Sequence, residues 1–182
     1  MIASATEDHM RTLFAVVATL TLTTPALAQQ QPAPPTCEAA EYRAFDFWIG
    51  EWDAFRADTN APAGRSSVRS EDAGCVITEH WTSVGQPYSG RSLNIYDRVS
   101  QKWEQFWVDS NGTRVHFVGG PTETGMRITT EAPVPIAPGQ LAYSRMTFTH
   151  NADGSVLQHG ETSPDGQAWT TSYAFIYRRH TE

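Results

Sequence analysis

The sequence predicts an all-β protein: a closed or nearly closed antiparallel up-and-down β-barrel of about ten strands with a short N-terminal helix. From residue 50 onward, short runs rich in Val, Ile, Thr, Tyr, Phe and Trp recur about every ten residues. Turn residues separate the runs, and Asn111 and Gly112 form the clearest turn because both accept the positive φ angles of a tight hairpin. Loops this short leave no room for crossover helices, so neighbouring strands are antiparallel. Closure removes the exposed edges that a flat sheet would leave.

The start of the 182-residue chain has the pattern of a secretory signal peptide, which we predict at 1–28. Arg11 precedes an apolar run at 13–22, and an Ala-x-Ala cleavage pattern ends at Ala28. The apolar run is too short to span a bilayer comfortably, so we expect no membrane attachment after cleavage. The expected location is the periplasm or the outside of the cell.

The composition also bears on where the chain starts and on where the barrel domain begins. Two acidic residues precede Met10, which is unusual in a signal peptide, so Met1 and Met10 are both candidate start residues. The polar, proline-rich residues 29–36 are predicted to form a disordered linker. Residues 37–182 are then long enough for one barrel domain with a substantial core.

The charge pattern and the missing motifs exclude several classes of function. The net charge is −7 and the sequence has no Lys/Arg cluster, which argues against nucleic acid and against an anionic membrane surface. The chain has no Gly-x-Ser-x-Gly, no glycine-rich phosphate loop and no His-Glu-x-x-His. Its six histidines form no metal-ligand pair, and alternation places His80 and His159 outside the lumen. We therefore expect neither a metal nor a haem or other cofactor.

The two cysteines, Cys37 and Cys75, both follow the predicted cleavage site. Export to an oxidising compartment and an even count predict one disulfide bond between them. Such a bond would close a loop of about 38 residues and would contribute about 2–4 kcal/mol to stability.

The elements are assigned in chain order. Residues 38–44 combine alanines with charged helix formers and predict a helix that needs packing to persist, since only two turns are available. The aromatics at 45–49 alternate as in a half-buried strand, until Gly50 breaks the run before Trp52. Three prolines make 133–138 a rim loop rather than a central strand. The ten predicted strands are 51–56, 65–70, 75–84, 90–96, 102–109, 113–119, 125–131, 141–150, 156–163 and 170–178.

Period-two alternation groups the side chains of each strand into two faces. One choice of faces gives an aromatic lining with a few polar groups, as in small-molecule pockets. The candidate ligand-binding residues on these inner faces are Glu79, Trp81, Asn94, Gln105, Trp107, Arg145 and Gln158. Arg145 and Glu79 would form an interior ion pair, unless Arg145 holds a ligand's acid group or either residue lies at a solvated strand end.

The fifth predicted strand carries large apolar groups on both faces. We expect a loop or a second subunit to cover its outer face, and a homodimer is one arrangement that would do so.

Gly50-x-Trp52, on the first strand after a short helix, resembles the Gly-x-Trp signature of lipocalins and the wider calycin superfamily. The longer string at 45–53, Phe-Asp-Phe-Trp-Ile-Gly-Glu-Trp-Asp, is similar to the start of a family of uncharacterised secreted bacterial proteins. The resemblance implies a lipocalin-like β-barrel with a lumen and brings no established activity. It also implies an arginine near the end of the last strand packed on Trp52, a structural role for which Arg178 and Arg179 are available and to which we assign Arg178.

The expected function is a secreted barrel that carries a small, largely apolar ligand with one anionic or hydrogen-bonding group. The first alternative is an enzyme of isomerase, hydratase or cyclase type, with Glu79 or Asp109 as a lumen acid for proton transfer. The second alternative is a structural or interaction module whose barrel is filled by its own aromatic side chains. The sequence does not name the ligand.

Overall fold

A computed structural model describes residues 36–181 of the chain. The predicted signal peptide at 1–28 lies outside the described residues, as does all but the last residue of the predicted linker at 29–36. Within the described range, no helix has both the length and the apolar character needed to cross a membrane.

The protein is an all-β barrel, as the sequence predicts. The strands are β1 (Gly50–Arg56), β2 (Pro62–Glu71), β3 (Val76–Ser83), β4 (Ser89–Asp97), β5 (Lys102–Asp109), β6 (Arg114–Thr122), β7 (Gly125–Thr129), β8 (Val134–Ala137), β9 (Gln140–His150), β10 (Val156–Ser163) and β11 (Thr170–Arg179). Ten of them, all except β8, form one antiparallel ring in which β7 pairs with β9 and β11 pairs with β1. The predicted closed barrel of about ten strands is confirmed.

The short strand β8 departs from the prediction of a rim loop at 133–138. Three of its four residues pair with the start of β9, and the strand lies outside the closed ring. Prolines are tolerated there because an edge strand leaves part of its N–H positions unused. The prediction was wrong about secondary structure, while the exclusion of this segment from the central sheet holds.

The N-terminal helix α1 spans Ala40–Arg43, a single turn, and is shorter than the predicted 38–44. The strand-like interpretation of 45–49 is wrong, because Asp46–Trp48 form a 3₁₀ turn and β1 begins at Gly50. Phe45 and Trp48 are both fully buried and stack with ring centroids 5.0 Å apart. This segment adopts its conformation because its aromatic side chains cover the end of the barrel, and a local sequence pattern does not reveal such a long-range contact.

This N-terminal segment closes one end of the barrel, which we call the base. The indole nitrogen of Trp52 donates to the carbonyl of Trp48 at 2.8 Å, and that of Trp103 donates to the carbonyl of Glu41 at 3.0 Å. The predicted disulfide is present and joins Cys37 to Cys75, just before β3. A disulfide of this kind indicates an oxidising, extracellular-type environment.

Arg179, rather than Arg178, packs on Trp52. The two residues are paired across β1 and β11, and the guanidinium carbon lies 4.0 Å from the centre of the indole ring. Arg178 is on the other face of β11, where it lies 4.7 Å over Phe55, because successive strand residues point to opposite faces. Gly50, at φ 151°, leaves room for Arg179, since a Cβ at position 50 would overlap the guanidinium. Gly50 and Arg179 together thus fix the packing of Trp52 at the base.

Candidate functional site

Above the base, the barrel encloses a cavity of about 640 Å³. Arg56 at the end of β1 and Ile136 of β8 belong to its lining, which places the mouth at the end opposite the base. This volume lies within the range of about 300–1,000 Å³ that is usual for small-molecule pockets. The lumen is therefore open, and the aromatic side chains do not fill it.

Most residues that the sequence assigns to the site face this interior. The six that do so are Glu79, Trp81, Asn94, Gln105, Trp107 and Gln158. Asn94 is fully buried beneath the cavity lining, where Gln105 covers it, and the other five line the cavity.

Arg145 lies on the outer face of β9, so its predicted place in the lumen is wrong. Both its Nε and its Nη2 donate to the carboxylate of Glu161 at 2.8 Å, directly across the β9–β10 pair. Its guanidinium carbon also lies 4.0 Å from the centre of the Trp169 ring. The inward face of β9 carries Ser144 and Met146 instead. The hydrogen bonds from Arg145 hold the pKa of Glu161 below its usual range.

Glu79 is the buried acid of the lumen. Its Oε1 accepts a hydrogen bond from Ser66 at 2.8 Å, and its Oε2 accepts one from Ser92 at 3.1 Å. The ion pairs of residues 36–181 do not include Glu79, so the predicted pair with Arg145 is absent there. Burial raises the pKa of the Glu79 carboxyl to about 7, although both serine hydrogen bonds act in the opposite direction.

A chain of hydrogen bonds fixes the direction of the donors around Glu79. The Nδ2 of Asn94 donates to the carbonyl of Ile77 at 2.9 Å, and a carbonyl can only accept, so the orientation of this amide is set. The same Nδ2 donates to the hydroxyl of Ser92 at 3.0 Å, which leaves the hydroxyl proton of Ser92 for Glu79. Gln105 Nε2 then donates to Asn94 Oδ1 at 2.8 Å. The network presents Glu79 as an acceptor.

Aromatic rings form one wall of the lumen. Trp81 of β3 stacks on Phe175 of β11 with ring centroids 5.5 Å apart, and Phe175 stacks on Tyr173 at 5.1 Å. The strands between β11 and β3 carry small inward residues such as Ala54 and Ser66, over which the rings extend. The aromatic residues of β11 were not assigned to the site from the sequence, although their alternation at 173, 175 and 177 was visible there.

Three glycines make room for these large rings. A Cβ at Gly64 would overlap the ring of Trp81, and one at Gly90 would overlap Trp107. A Cβ at Gly160 would likewise overlap the ring of Tyr173. Each ring therefore lies along the wall on a neighbouring strand's glycine, which keeps the centre of the lumen free.

Two further polar side chains of the lining, Tyr177 and Gln158, are bonded to each other. Tyr177 donates to Gln158 Oε1 at 2.7 Å, and Gln158 Nε2 donates to the sulfur of Met146 at 3.3 Å. Burial, with a further contribution from the charge of Glu79, raises the pKa of Tyr177 well above its usual range. These contacts leave the side chains of Tyr177 and Gln158 already satisfied within the protein.

Asp109, near the mouth, is a second carboxylate. It accepts hydrogen bonds from Tyr88 at 3.2 Å and from the indole nitrogen of Trp107 at 3.3 Å. Burial by itself would raise the pKa of the Asp109 carboxyl. The hydrogen bonds that this carboxylate accepts, first those from the backbone N–H groups of Thr113 and Asn111, have the larger total effect, so the pKa of Asp109 is lowered. Asp109 is thus ionised at neutral pH, and burial together with this carboxylate raises the pKa of Tyr88 to about 12.

The chemistry available in the lumen is that of carboxylates, amides and aromatic rings. No histidine is found among the described residues that line the cavity. The same part of the chain has no group of three or more His, Cys, Asp or Glu side chains arranged to hold a metal ion.

Residues 39–179 match the model of a family described as "Protein of unknown function (DUF1579)". A comparison with curated proteins gives no match.

Proposed function

Because the chain belongs to the family of proteins of unknown function DUF1579, we propose its function from the geometry of the barrel: it binds a small, largely apolar molecule in the lumen. The observation that carries this proposal is the cavity of about 640 Å³ with aromatic walls and a few polar groups at fixed positions. Burial of an apolar ligand against these walls would supply most of the binding free energy.

The open lumen favours this proposal over a filled structural barrel. Trp81, Trp107 and Tyr173 have enough volume to occupy the interior, yet each lies over a glycine of a neighbouring strand. Glycine in a strand interior weakens the strand, because it contributes no side chain to packing. A barrel selected only for stability would have little reason to keep three such positions.

The proposal also includes a calycin-like relationship and a location outside the cytoplasm. The contact of Arg179 with Trp52, next to Gly50, supports a calycin-like relationship, since the resemblance implies this contact. The Cys37–Cys75 disulfide and the signal-peptide pattern at 1–28 together support export to the periplasm or the cell exterior. The ligand would then be taken up outside the cytoplasm.

An enzyme acting in the same lumen is the second candidate, and Glu79 is the observation that favours it. Its pKa of about 7 lets this buried carboxyl both take up and release a proton near neutral pH. An isomerase, hydratase or cyclase could use such a group. Conversion of a bound compound, lost in Glu79→Gln while binding remains, would separate catalysis from carriage.

Binding in the lumen is tested with a neutral apolar fluorophore, N-phenyl-1-naphthylamine. Val115 faces the cavity, so Val115→Trp should reduce the available volume and weaken binding at least about tenfold. The matched control is Val99→Trp in the turn between β4 and β5, where the side chain is 86% exposed, and it should leave the affinity unchanged. Native mass spectrometry of the purified protein should in addition show a retained small molecule. Absence of fluorophore binding up to millimolar concentration would overturn the proposal.

The proposal also extends to a second copy of the chain as partner. The outer faces of β4 and β5 expose Leu93, Phe106 and Val108, with 53%, 45% and 52% of their surfaces accessible. Leu93 and Phe106 are paired across the two strands, and Val108 follows two residues after Phe106. They form a continuous apolar patch, and such patches on small proteins usually mark interaction sites.

The charges at the two ends of this patch are complementary. Arg91 and Arg114 flank Val108 at one end, and Glu104 stands on β5 at the other. A two-fold axis through Phe106 would place the acidic end of one copy on the basic end of its partner, as an isologous interface requires. Sedimentation velocity should show a dimer that Phe106→Lys dissociates. A monomer at all concentrations would remove the second copy as partner without affecting the lumen.

A further inference from the structure

We infer that the ligand carries a basic nitrogen, such as a protonated amine or amidine on a ring-containing apolar body, and that Glu79 pairs with this nitrogen. The inference rests on the proposed binding function and names its ligand class. Of the two polar groups expected from the sequence, anionic or hydrogen-bonding, it sets aside the anionic one and specifies the hydrogen-bonding one as a cation.

Both indoles and two of the three tyrosine hydroxyls of the lining donate to groups of the protein itself. The indole nitrogen of Trp81 donates to Ser83 at 3.0 Å, and that of Trp107 donates to Asp109. The hydroxyls of Tyr88 and Tyr177 donate to Asp109 and Gln158, as described above. The donors that remain for a ligand's acceptor are neutral groups, such as the hydroxyls of Tyr173, Ser144 and Thr162, which donate to no group of residues 36–181.

Two acceptors that face the cavity also keep unused capacity. An ionised carboxylate has about four lone-pair sites, and Glu79 uses two of them for Ser66 and Ser92. The amide of Gln105 is oriented by its donation to Asn94, so its Oε1 also remains as an acceptor beside the cavity. The spare capacity of Glu79 and Gln105 matches a ligand that donates hydrogen bonds.

Charge leads to the same ligand class. Glu79 is only 5% exposed and has two hydroxyl donors but no cation beside it. A buried carboxylate without a cation is energetically unfavourable, and a cationic ligand would remove this penalty on binding. The sequence expectation of an anionic ligand loses its basis, because Arg145 is bonded to Glu161 outside the barrel.

The other charged or titratable groups that line the cavity do not reverse this preference. They are Asp109 of β5, Tyr88 before β4, Tyr173 and Tyr177 of β11, and Arg56 at the end of β1. Asp109 adds a second negative charge near the mouth, and the tyrosines are neutral at ordinary pH because burial raises the pKa of each. Arg56, the one cationic side chain among the described lining residues, is exposed at the mouth.

The aromatic wall supplies the other half of the recognition. Trp81, Phe175 and Tyr173 present stacked rings from β3 and β11 to the same lumen into which Glu79 projects. Such faces attract a cation through their negative quadrupole and also pack against a ligand ring. A carboxylate combined with aromatic faces is a recognition set suited to an organic cation.

The test uses three probes that share one ring system and differ in the polar group: 2-naphthylmethylamine, 2-naphthylmethanol and 2-naphthoate. Calorimetric titration at pH 8 should give the affinity order amine, then alcohol, then carboxylate, with the amine at least about tenfold tighter than the alcohol. In Glu79→Gln the amine should lose this advantage, while the alcohol should bind within about twofold of the parent. The matched control is Asp109→Asn, which should retain most of the preference.

The pH profile of the unmodified protein provides an independent readout. The amine stays protonated between pH 5 and 8, so its affinity should fall about tenfold per pH unit below the pKa of Glu79 at about 7, where binding must displace a proton. The affinity of the alcohol should change little over this range. This measurement remains decisive if Glu79→Gln fails to fold.

The outcomes separate the inference from the proposed function. If no probe binds the parent protein, the lumen is not a binding site and both are overturned. If the alcohol binds and the amine binds no tighter, only the ligand class is wrong. An amine preference that persists in Glu79→Gln and disappears in Asp109→Asn would also overturn the role of Glu79.

Discussion

The indole of Trp107 lies across Gly90 of the neighbouring strand, in the space that any larger side chain at position 90 would occupy. Position 90 of β4 is on the same face of the sheet as Trp107 of β5, whose ring lines the lumen. The ring can lie flat along the wall only because its neighbour has no side chain. The width of the cavity is therefore decided by glycine as much as by the aromatic residues themselves.

Gly90→Ala should narrow the lumen. The φ angle of Gly90 is not in the left-handed region, and the atoms nearest to the added methyl group all belong to the ring of Trp107, which should be driven inward. We expect a loss of about 1–3 kcal/mol in the free energy of unfolding, measured in urea, and weaker binding of N-phenyl-1-naphthylamine. Adding Trp107→Leu should restore much of the stability. The control is Gly120→Ala on β6, where a Cβ would meet open space, and equal losses in both variants would contradict the assignment.

Glu79→Gln should stabilise the protein at alkaline pH. The pKa of Glu79 is about 7 in the folded protein against an ordinary value of 4.5, so the folded state binds this proton more tightly than the unfolded state does. The stabilising contribution of the Glu79 proton, about 3 kcal/mol, is consequently complete below pH 4.5 and is lost as the pH rises through 7.

Urea unfolding of parent and variant at several pH values measures this effect. At pH 8 the Glu79→Gln variant should be more stable than the parent, and near pH 4 the two should converge. The exposed Glu71 provides a control, because Glu71→Gln should leave the pH dependence of the parent unchanged. A difference between parent and Glu79→Gln that does not vary with pH would show that Glu79 ionises normally.

Arg145→Met should weaken the barrel without affecting the lumen. It removes two hydrogen bonds to Glu161 and the contact with Trp169, and it leaves a partly buried carboxylate unpaired, so we expect a loss of about 1–3 kcal/mol at neutral pH. The pKa of Glu161 is lowered, so the contribution of the pair should be lost as the pH falls through that pKa. The affinity for the naphthyl probes should remain within about twofold of the parent value, because a change of that size corresponds to a negligible change in binding free energy.

Arg69→Met is the matched control for Arg145→Met. Arg69 also pairs with a glutamate on the outside of the barrel, but the side chains of Arg69 and Glu51 are 68% and 55% exposed. Exposed pairs of this kind contribute about 0–1 kcal/mol. A reduced affinity for the probes in a folded Arg145→Met protein would return Arg145 to the binding site.

Replacement of both Cys37 and Cys75 by alanine should destabilise the protein by about 2–4 kcal/mol. The bond ties the segment that covers the base to the start of β3, so its loss should also loosen the packing of Trp48 and Trp103. The measurement is urea unfolding followed by tryptophan fluorescence, with and without reductant. The parent should respond to the reductant and the double variant should not. Two reactive thiols in exported, unreduced protein would contradict the bond.

The strands and their order along the chain follow from the sequence because they depend on local signals. Hairpin turns such as Asn111 and Gly112 and the period-two alternation act within a few residues, and all ten predicted strands occur within a few residues of their predicted bounds. The disulfide also follows, since two cysteines allow one pairing. For the lumen, alternation correctly groups Glu79 with Trp81 and Gln105 with Trp107.

Only the tertiary structure decides which face of a strand turns inward and which distant residues meet. Alternation sorts Arg145 and Met146 to opposite faces of β9, but closure of the ring is what places Met146 inside and Arg145 beside Glu161. The choice of Arg179 over Arg178 depends in the same way on the register between β1 and β11. A local pattern fixes relative directions along one strand, whereas the absolute direction depends on how the whole sheet curves, and curvature arises from contacts between residues far apart in the chain.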